Sequence, residues 1–287
     1  MRNLLSTFSL LACTSTSLAG GVSGSGMVVL DTSASGALSL TGNSEVEVPA
    51  NSIYVNSASS SAVKTTGSAT ISTPNLYICG GFSFTGNSGC TGTVHNSVAP
   101  YADPMSGLAF PSTAGMETRT LSSSGNATIT ALPGWYPNGI TVTGSSTITF
   151  QPGVYVLGGD FKVSSGSLSG TGVVFVMQGG KVTISGCSTF NFTAPTSGAM
   201  EGVFMCAPSS NANPISLTGG AEMTIGGALY TPAGKLTLTG NSGVAGQGPK
   251  MGDLVIAKQV SLTGTGSIKV GDPSGPAIEL PVMPLFD

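Results

Sequence analysis

The chain has 287 residues, of which 40% are hydrophobic, 43 are glycine and only 7% are charged, and its formal net charge is −3. This hydrophobic content excludes a disordered chain, and the absence of a basic patch excludes nucleic acid as a partner. Lys, Glu and Arg, which usually form the solvent-facing sides of helices, are too scarce for an architecture of long helices. The composition therefore predicts an all-β protein.

The first segment, residues 1–19, is typical of a secretory signal peptide. Arg2 precedes an apolar stretch over residues 4–12, and small residues at Ser17 and Ala19 suit a cleavage site. The stretch is too short and polar to be a membrane span. Two alternatives stay open: a bacterial lipobox that would acylate Cys13, and a longer anchor ahead of the sequence given. We expect the protein to be secreted or associated with the cell envelope, in the periplasm, the outer membrane or at the cell surface.

One short motif recurs along the rest of the chain, and its copies can be aligned on a glycine that follows Ser or Thr. The copies fall at residues 42, 67, 86, 125, 144, 170, 186, 219, 240 and 264. If the long interval between 86 and 125 hides a degenerate copy, the mean spacing is about 22. Apolar residues alternate with polar ones on both sides of each glycine, which predicts two strands joined at a corner. We expect the corner glycines to point inward, together with the small residue two positions later. The clearest examples are Gly42, Gly144, Gly186, Gly240 and Gly264.

A corner repeated every 22 residues or so predicts a single-domain parallel β-helix over residues 20–270. It would have about 10–11 coils, a length of about 50 Å and, because right-handed crossovers dominate, a right-handed sense. LSLTGNSE (38–45) and LTLTGNSG (236–243) are expected to be the same corner of a coil, near opposite ends of the rod.

Two stretches interrupt the repeat, and both contain several prolines. We expect residues 92–120 and 193–214 to be loops that project from the rod and serve as contact points. Residues 271–287 follow the last repeat and are expected to form a cap or tail.

The sequence offers few candidates for chemistry. The single histidine, His95, and Asp103 share one predicted loop, while Asp160 and Glu201 are the acids that a carbohydrate-active β-helix enzyme, a lyase or hydrolase, would use. Such enzymes need clustered carboxylates, whereas here the acids are scattered along the chain. We therefore expect no catalytic residues. No phosphate loop or dinucleotide fingerprint is present, so we expect no cofactor.

Once Cys13 is set aside, four cysteines remain: Cys79, Cys90, Cys187 and Cys206. They allow three disulfide connectivities in an exported chain. Pairing of Cys79 with Cys90 and of Cys187 with Cys206 is preferred, because each pair is close in sequence. No CxxC spacing occurs, so we expect no metal site.

A polar row is predicted on the outside of the rod, one residue per coil. It contains Thr41, Thr143, Ser185, Thr218, Thr239 and Thr263. Regular Thr arrays bind ice or regular polymers. The simpler interpretation, which we favour at this point, is that Ser and Thr are polar residues compatible with β-structure.

Three stretches of this chain are similar to the repeat region of TadG-like proteins, which belong to bacterial tight-adherence (Flp) pilus assembly. They are residues 28–63, YADPMSGLAFPS (101–112) and the long block 133–208 that begins PGWYPNGITVTG. The resemblance implies an envelope protein, usually anchored by an N-terminal membrane helix, with a role in pilus biogenesis or adhesion and no catalytic residues. Its partners would be cell-surface or pilus proteins, or polysaccharide. Our leading hypothesis is therefore an exported, non-enzymatic structural or adhesive β-helix.

Overall fold

The computed structural model of the protein describes residues 26–218, 222–240, 250–252 and 254–271. These residues form 28 strands and no helix, and the parallel strands stack as a β-solenoid of about ten turns with about 23 residues per turn. The predicted all-β parallel β-helix is thus confirmed. The predicted signal peptide, the Cys13 lipobox, the Gly219 corner and residues 272–287 lie outside the described residues.

The strands are short and follow the alternating segments of the repeat. In residues 26–96 they are β1 (Gly26–Val29), β2 (Leu38–Gly42), β3 (Glu45–Glu47), β4 (Ile53–Val55), β5 (Val63–Gly67), β6 (Thr70–Ser72), β7 (Asn75–Ile78), β8 (Phe82–Gly86), β9 (Gly89–Cys90) and β10 (Thr93–Asn96). We call residues 26–96 the N-terminal block.

Residues 118–271 form a second series of coils, the C-terminal block. Its strands are β11 (Leu121–Ser123), β12 (Thr128–Ala131), β13 (Gly134–Tyr136), β14 (Ile140–Val142), β15 (Thr147–Phe150), β16 (Gly153–Leu157), β17 (Phe161–Val163), β18 (Ser167–Thr171), β19 (Val173–Met177), β20 (Val182–Ser185), β21 (Thr189–Thr193), β22 (Val203–Cys206), β23 (Ile215–Thr218), β24 (Glu222–Gly226), β25 (Ala228–Gly240), β26 (Lys250–Met251), β27 (Leu254–Gly264) and β28 (Ser267–Val270).

Each coil contributes to three parallel sheets, which are the three sides of the rod. Sheet A contains β1, β4, β7, β10, β13, β16, β19, β22 and the first parts of β25 and β27. Sheet B contains β2, β5, β8, β11, β14, β17, β20, β23 and the second parts of β25 and β27. Sheet C contains β3, β6, β9, β12, β15, β18, β21, β24, β26 and β28.

The interior of the rod is a continuous apolar column, because alternate residues of every strand point inward. Leu, Ile and Val form most of it. In the middle of the C-terminal block, the rings of Phe150, Phe175, Phe190, Phe192 and Phe204 pack on one another with centroids 4.7–6.2 Å apart. A fully buried side chain of this size stabilises the fold by about 1.5–3 kcal/mol, so the stacking of coils accounts for most of the stability.

The coils do not stack in chain order. Strands β1 and β2 both pair with β27, and β3 pairs with β28, so the N-terminal block stacks on the last coil of the C-terminal block. Gly240 pairs with Gly264, which pairs with Gly42. The segments 38–42 and 236–240 are therefore separated by a single coil, and the predicted position of these two motif copies near opposite ends of the rod is wrong. The similarity of the repeats explains this arrangement. Leu38 and Leu40 pair with Val260 and Leu262, and they could pair equally well with the apolar residues of another repeat.

A polar contact also fastens the two blocks. Gln259 Nε2 donates a hydrogen bond of 2.8 Å to Asp31 Oδ2, and the backbone N–H groups of Ser33 and Ala34 donate to Asp31 Oδ1. Burial by itself would raise the pKa of Asp31, but these hydrogen bonds outweigh it and lower the pKa below its ordinary value. The carboxylate is thus held in its charged form where the blocks meet.

Residues 97–117, which we call the strap, connect β10 at one end of the rod to the first coil of the C-terminal block at the other end. A fully extended chain of this length reaches about 70 Å, and ten stacked coils span only about 45 Å. The strap packs on the outer surface of sheet A: Met105 is 6% exposed, and Asn56 exchanges two hydrogen bonds with the backbone of Tyr101.

The predicted projecting loop at 92–120 is therefore wrong, since it contains β10 and a segment that packs against the rod. The physical reason is that the outer surface of sheet A is apolar, with Val156, Val174 and Val176 buried beneath other side chains. The second predicted loop, 193–214, contains the sheet A strand β22 and is likewise only partly a loop.

Candidate binding face

The outer surface of sheet B carries two parallel rows of side chains, Ser and Thr at all positions except two lysines in the first row, which we call the Ser/Thr face. The first row is Ser122, Thr141, Lys162, Thr183, Ser216, Thr237, Ser261, Ser39, Lys64 and Ser83, each paired with the next. In the second row Ser185, Thr218, Thr239, Thr263, Thr41, Thr66 and Thr85 are paired in the same way. Ser124, Thr143 and Ser164 occupy the equivalent positions in the other coils. None of these side chains is buried.

Six consecutive threonines therefore line the second row, from Thr218 to Thr85. Neighbours along a row are about 4.8 Å apart, and the rows are two residues, about 6.6 Å, apart. Thr side chains are β-branched and stiff, so each presents a methyl group and a hydroxyl in a restricted orientation. A surface that is already ordered loses little side-chain entropy when it binds a partner.

The predicted row of Thr41, Thr143, Ser185, Thr218, Thr239 and Thr263 thus lies on one side of the rod. The first row, and the continuation of the second row to Thr66 and Thr85, were not predicted from the sequence. The sequence does contain a signal for the first row: a Ser, Thr or Lys stands three residues before each glycine on which the repeat copies are aligned. The unbroken row depends on the coil order, since only docking of the N-terminal block joins Thr41 to Thr263.

The other two sides of the rod differ from the Ser/Thr face. The outer surface of sheet A is apolar and lies under the strap. Sheet C begins with outward pairs such as Thr128 and Thr130, but charged residues interrupt it further along, where Lys269 forms a 3.0 Å ion pair with Glu47. Among the described residues, the second row of sheet B is the one outward row with Ser or Thr in every coil, whereas its first row contains Lys162 and Lys64.

His95 and Asp103 are not brought together. His95 lies in β10 at one end of sheet A, where Nε2 is 3.1 Å from Asn75 Oδ1 and the ring stacks on Tyr77 at 4.6 Å. Asp103 lies in the strap over Tyr230, whose hydroxyl donates a 2.8 Å hydrogen bond to it. Tyr230 and His95 occupy the same outward position on sheet A, but five strand spacings separate them. This distance is about 24 Å, so Asp103, which binds Tyr230, is far from His95.

Burial, with the hydrogen bond to Asp103 second, raises the pKa of Tyr230. The Tyr230 hydroxyl therefore stays protonated, and its hydrogen bond to Asp103 attaches the strap to the sheet.

Asp160 and Glu201 also lie apart. Asp160 is at the corner between sheets A and B, where Oδ1 accepts a 3.0 Å hydrogen bond from the backbone N–H of Lys181. Glu201 is exposed in the connection between sheets C and A. The two are thus at different corners of the rod and do not form the paired carboxylates that glycoside hydrolysis uses. The described residues contain no group of three His, Cys, Asp or Glu side chains able to hold a metal ion.

Cys79, Cys90, Cys187 and Cys206 are free, so the preferred disulfides are not formed. Cys187 points into the core, whereas Cys206 lies on the outer side of sheet A under the strap, and the sheet separates their sulfur atoms. Cys79 follows β7 at one corner of a coil, and Cys90 lies in β9 on sheet C. Burial raises the pKa of Cys206 to about 12, so this thiol is protonated and unreactive.

The predicted structural corner is present, with one change of mechanism. Gly42, Gly144, Gly186 and Gly264 all have positive φ, and a Cβ added to Gly42 would lie 2.5 Å from the carbonyl oxygen of Gly264. Glycine is thus required by backbone conformation and by contact with the neighbouring coil, rather than by pointing inward. The Gly240 corner pairs in register with Gly264. The small residue two positions later is buried at Ser44, Ala69 and Ser146, but exposed at Ala127 and Ser188, so the predicted inward position holds in only some of the coils.

One shallow cleft of about 350 Å³ lies at the corner where the blocks meet, lined by Leu30, Asp31, Thr32, Ser33, Pro232, Ala233 and Lys258. Both carboxylate oxygens of Asp31 are already occupied by hydrogen bonds from the protein, so the cleft offers little to a ligand. No helix long and apolar enough to cross a membrane occurs in the described part of the chain.

Comparison with known proteins found no matching family model, no similar curated protein and no similar solved structure. The fold and the Ser/Thr face therefore define the protein as a β-solenoid with one regular polar side.

Proposed function

We propose that the protein is an exported, non-enzymatic structural or adhesive module of the cell envelope that binds an extended, repetitive partner through the Ser/Thr face. The observation that supports this most strongly is the register of the second row, in which Thr218, Thr239, Thr263, Thr41 and Thr66 lie side by side. A regular array of hydroxyls and methyl groups suits a partner whose own groups repeat, such as a polysaccharide chain or an assembled pilus.

The signal-like sequence of residues 1–19 and the resemblance to TadG-like pilus assembly proteins support a place in the envelope. The lack of charge along the second row points to binding by shape and hydrogen bonds. Affinity would then depend little on salt, in contrast to binding dominated by charge.

A second candidate, ice, is favoured by one specific observation. The outward residues of β25 and β27 form Thr-x-Thr and Ser-x-Thr pairs in register, so hydroxyls repeat in two directions on one surface. Water molecules in ice also repeat in two directions, and a stiff Thr array can match them without further ordering.

Binding tests with two variants distinguish these candidates. Thr263→Tyr places a bulky side chain in the middle of the second row, and Thr149→Tyr makes the same change at an exposed position on sheet C. We expect Thr263→Tyr to reduce retention on insoluble polysaccharide or purified pili by about tenfold or more, and Thr149→Tyr to have no effect. If ice is the partner, Thr263→Tyr will lower both the affinity for ice and the thermal hysteresis, and Thr149→Tyr will change neither. Equal behaviour of both variants in every assay would contradict the proposed role of the Ser/Thr face.

A further inference from the structure

Both ends of the rod expose strands that have a partner on one side only. At one end, which we call the Phe82 end, β8, β9 and β10 pair only with β5, β6 and β7 among the described residues. At the other, the Leu132 end, β11 and β12 pair only with β14 and β15. Unpaired edges of parallel strands present N–H and C=O groups ready for another strand.

The Phe82 end also exposes part of the apolar interior. Phe82 continues an inward column in which Leu38 and Val63 are 0% exposed, yet Phe82 itself is 43% exposed. At the opposite end Leu132 is 43% exposed on the outer side of the corner after β12, whereas inward Leu121 is largely covered. Repeat proteins normally finish in capping repeats with a polar outer face, which the Phe82 end lacks.

The two ends differ in the charges that usually prevent edge pairing. The coil at residues 74–96 contains no Asp, Glu, Lys or Arg. At the Leu132 end residues 120–132 contain none either, but Glu117 and Arg119 form an ion pair beside Trp135 on the sheet A side. Natural sheets protect exposed edges mainly with charged residues and prolines, so the edges on sheets B and C, which lack charge at both ends, favour association.

The two ends have matching shapes because they belong to one repeat. If a second molecule continued the stack by one coil, its Leu121 would lie against Phe82 of the first molecule. In the same register its Ile129 would lie against Cys90, and its Gly125 against Gly86. Apolar residues would then face apolar residues, and the corner glycines would stay aligned.

We propose that the protein assembles end to end, with the Phe82 end of one copy docking on the Leu132 end of a second copy, so that all three sheets continue across the junction. Each junction is heterologous and the rods add along one axis, which gives a filament rather than a closed dimer. The Ser/Thr face then extends along the filament. The inference does not depend on what that face binds.

Sedimentation of the full chain over a range of concentrations, combined with small-angle X-ray scattering, tests the assembly. We expect species at integer multiples of the protomer mass whose length grows while the cross-section stays constant. A protomer at every concentration, or growth in cross-section, would overturn the proposal.

A pair of variants on β8 tests the docking surface. Phe82→Lys places a charge in the proposed junction, whereas Ser83→Lys adds the same charge to the outward side of the same strand. We expect Phe82→Lys to raise the concentration needed for assembly by about tenfold or more, and Ser83→Lys to leave it nearly unchanged. Because Phe82 is already partly exposed, circular dichroism should show both variants folded. If the two variants assemble alike, the docking surface is assigned wrongly.

Discussion

The corner glycines show how a single residue type sets the geometry of each coil. Gly42 has φ +90°, and a Cβ there would approach the backbone oxygen of Gly264 in the adjacent coil. Gly67 and Gly86 repeat both features, each against the corner glycine before it in the stack. The column of glycines therefore lets coils approach closely at this edge of the rod.

Replacing Gly42 by Ala tests this requirement. We expect the free energy of unfolding to fall by about 2 kcal/mol or more, since a left-handed backbone costs an L-residue about 1–2 kcal/mol and the added methyl group contacts backbone. Asn43→Ala is the matched control, because Asn43 is exposed and keeps its backbone hydrogen bond to Gly264. Thermal unfolding, monitored by circular dichroism, compares the stability of the two variants. A larger loss of stability in Asn43→Ala would refute the role of Gly42 at the corner.

Buried serines next to the corners differ in whether their hydroxyls are satisfied. Ser146 Oγ is 2.6 Å from Ser123 Oγ and donates to the carbonyl oxygen of Gly125. Ser44 is 1% exposed, and its Oγ has no hydrogen-bond partner. An unpaired buried hydroxyl is costly.

We expect Ser44→Ala to stabilise the protein by about 1 kcal/mol and Ser146→Ala to destabilise it by a similar amount. Chemical denaturation of both variants alongside the parent protein provides the comparison. A loss of stability in Ser44→Ala would show that its hydroxyl is satisfied.

Among the elements, the strap has the largest structural role, because it covers the apolar outer surface of sheet A. Met105 is its most deeply buried large side chain, and the Asp103–Tyr230 hydrogen bond lies two residues before it. A displaced strap would expose valines and leucines of several coils at once.

Met105→Ala should therefore lower the free energy of unfolding by about 2 kcal/mol, near the lower limit for truncating a buried Met. It should also speed proteolytic cleavage within residues 97–117. Ser106→Ala, at the exposed neighbouring position, should change neither property. Unaltered stability and cleavage in Met105→Ala would mean that the strap is held by other contacts.

The sequence was informative about individual strands and corners, and much less so about how they assemble. The two-residue alternation around Gly42 and Gly264 predicted strand, corner and inward residues, because each follows from local sterics and burial. It also misplaced one corner: Gly170 lies within β18, facing Phe150 and Phe192, and Gly166 with φ +96° turns that coil. Gly166 and Gly170 both follow a serine, so this pattern alone does not show which of them forms the corner.

The Ser/Thr face was predicted only in part, because the sequence shows which residues point outward but not which coils are neighbours. Outward Thr41 and Thr263 follow from alternation, but their direct contact depends on which coils are neighbours. The sequence predicts a projecting loop at 92–120 because the repeat breaks there and prolines appear, and only the stacked sheet reveals the apolar surface that the strap covers.

For the whole molecule, coil order is the feature that no local pattern specified. Copies of one repeat offer nearly equivalent edges, so the sequence permits the N-terminal block to stack either before residue 118 or after residue 271. The structure has the second arrangement, with the strap returning along sheet A. This order joins the Thr rows into one continuous face and determines which strands lie at the open ends.

Cysteine cross-linking tests this coil order most directly. The double variant Thr41→Cys/Thr263→Cys joins neighbours on β2 and β27, whose Cα atoms, about 4.8 Å apart, suit a disulfide. Thr85→Cys/Ser124→Cys joins positions that, within one molecule, only stacking in chain order would make neighbours. In dilute, mildly oxidised protein analysed by peptide mass spectrometry, we expect an intramolecular disulfide in the first variant and none in the second. An intramolecular disulfide between positions 85 and 124, with none between 41 and 263, would contradict the coil order.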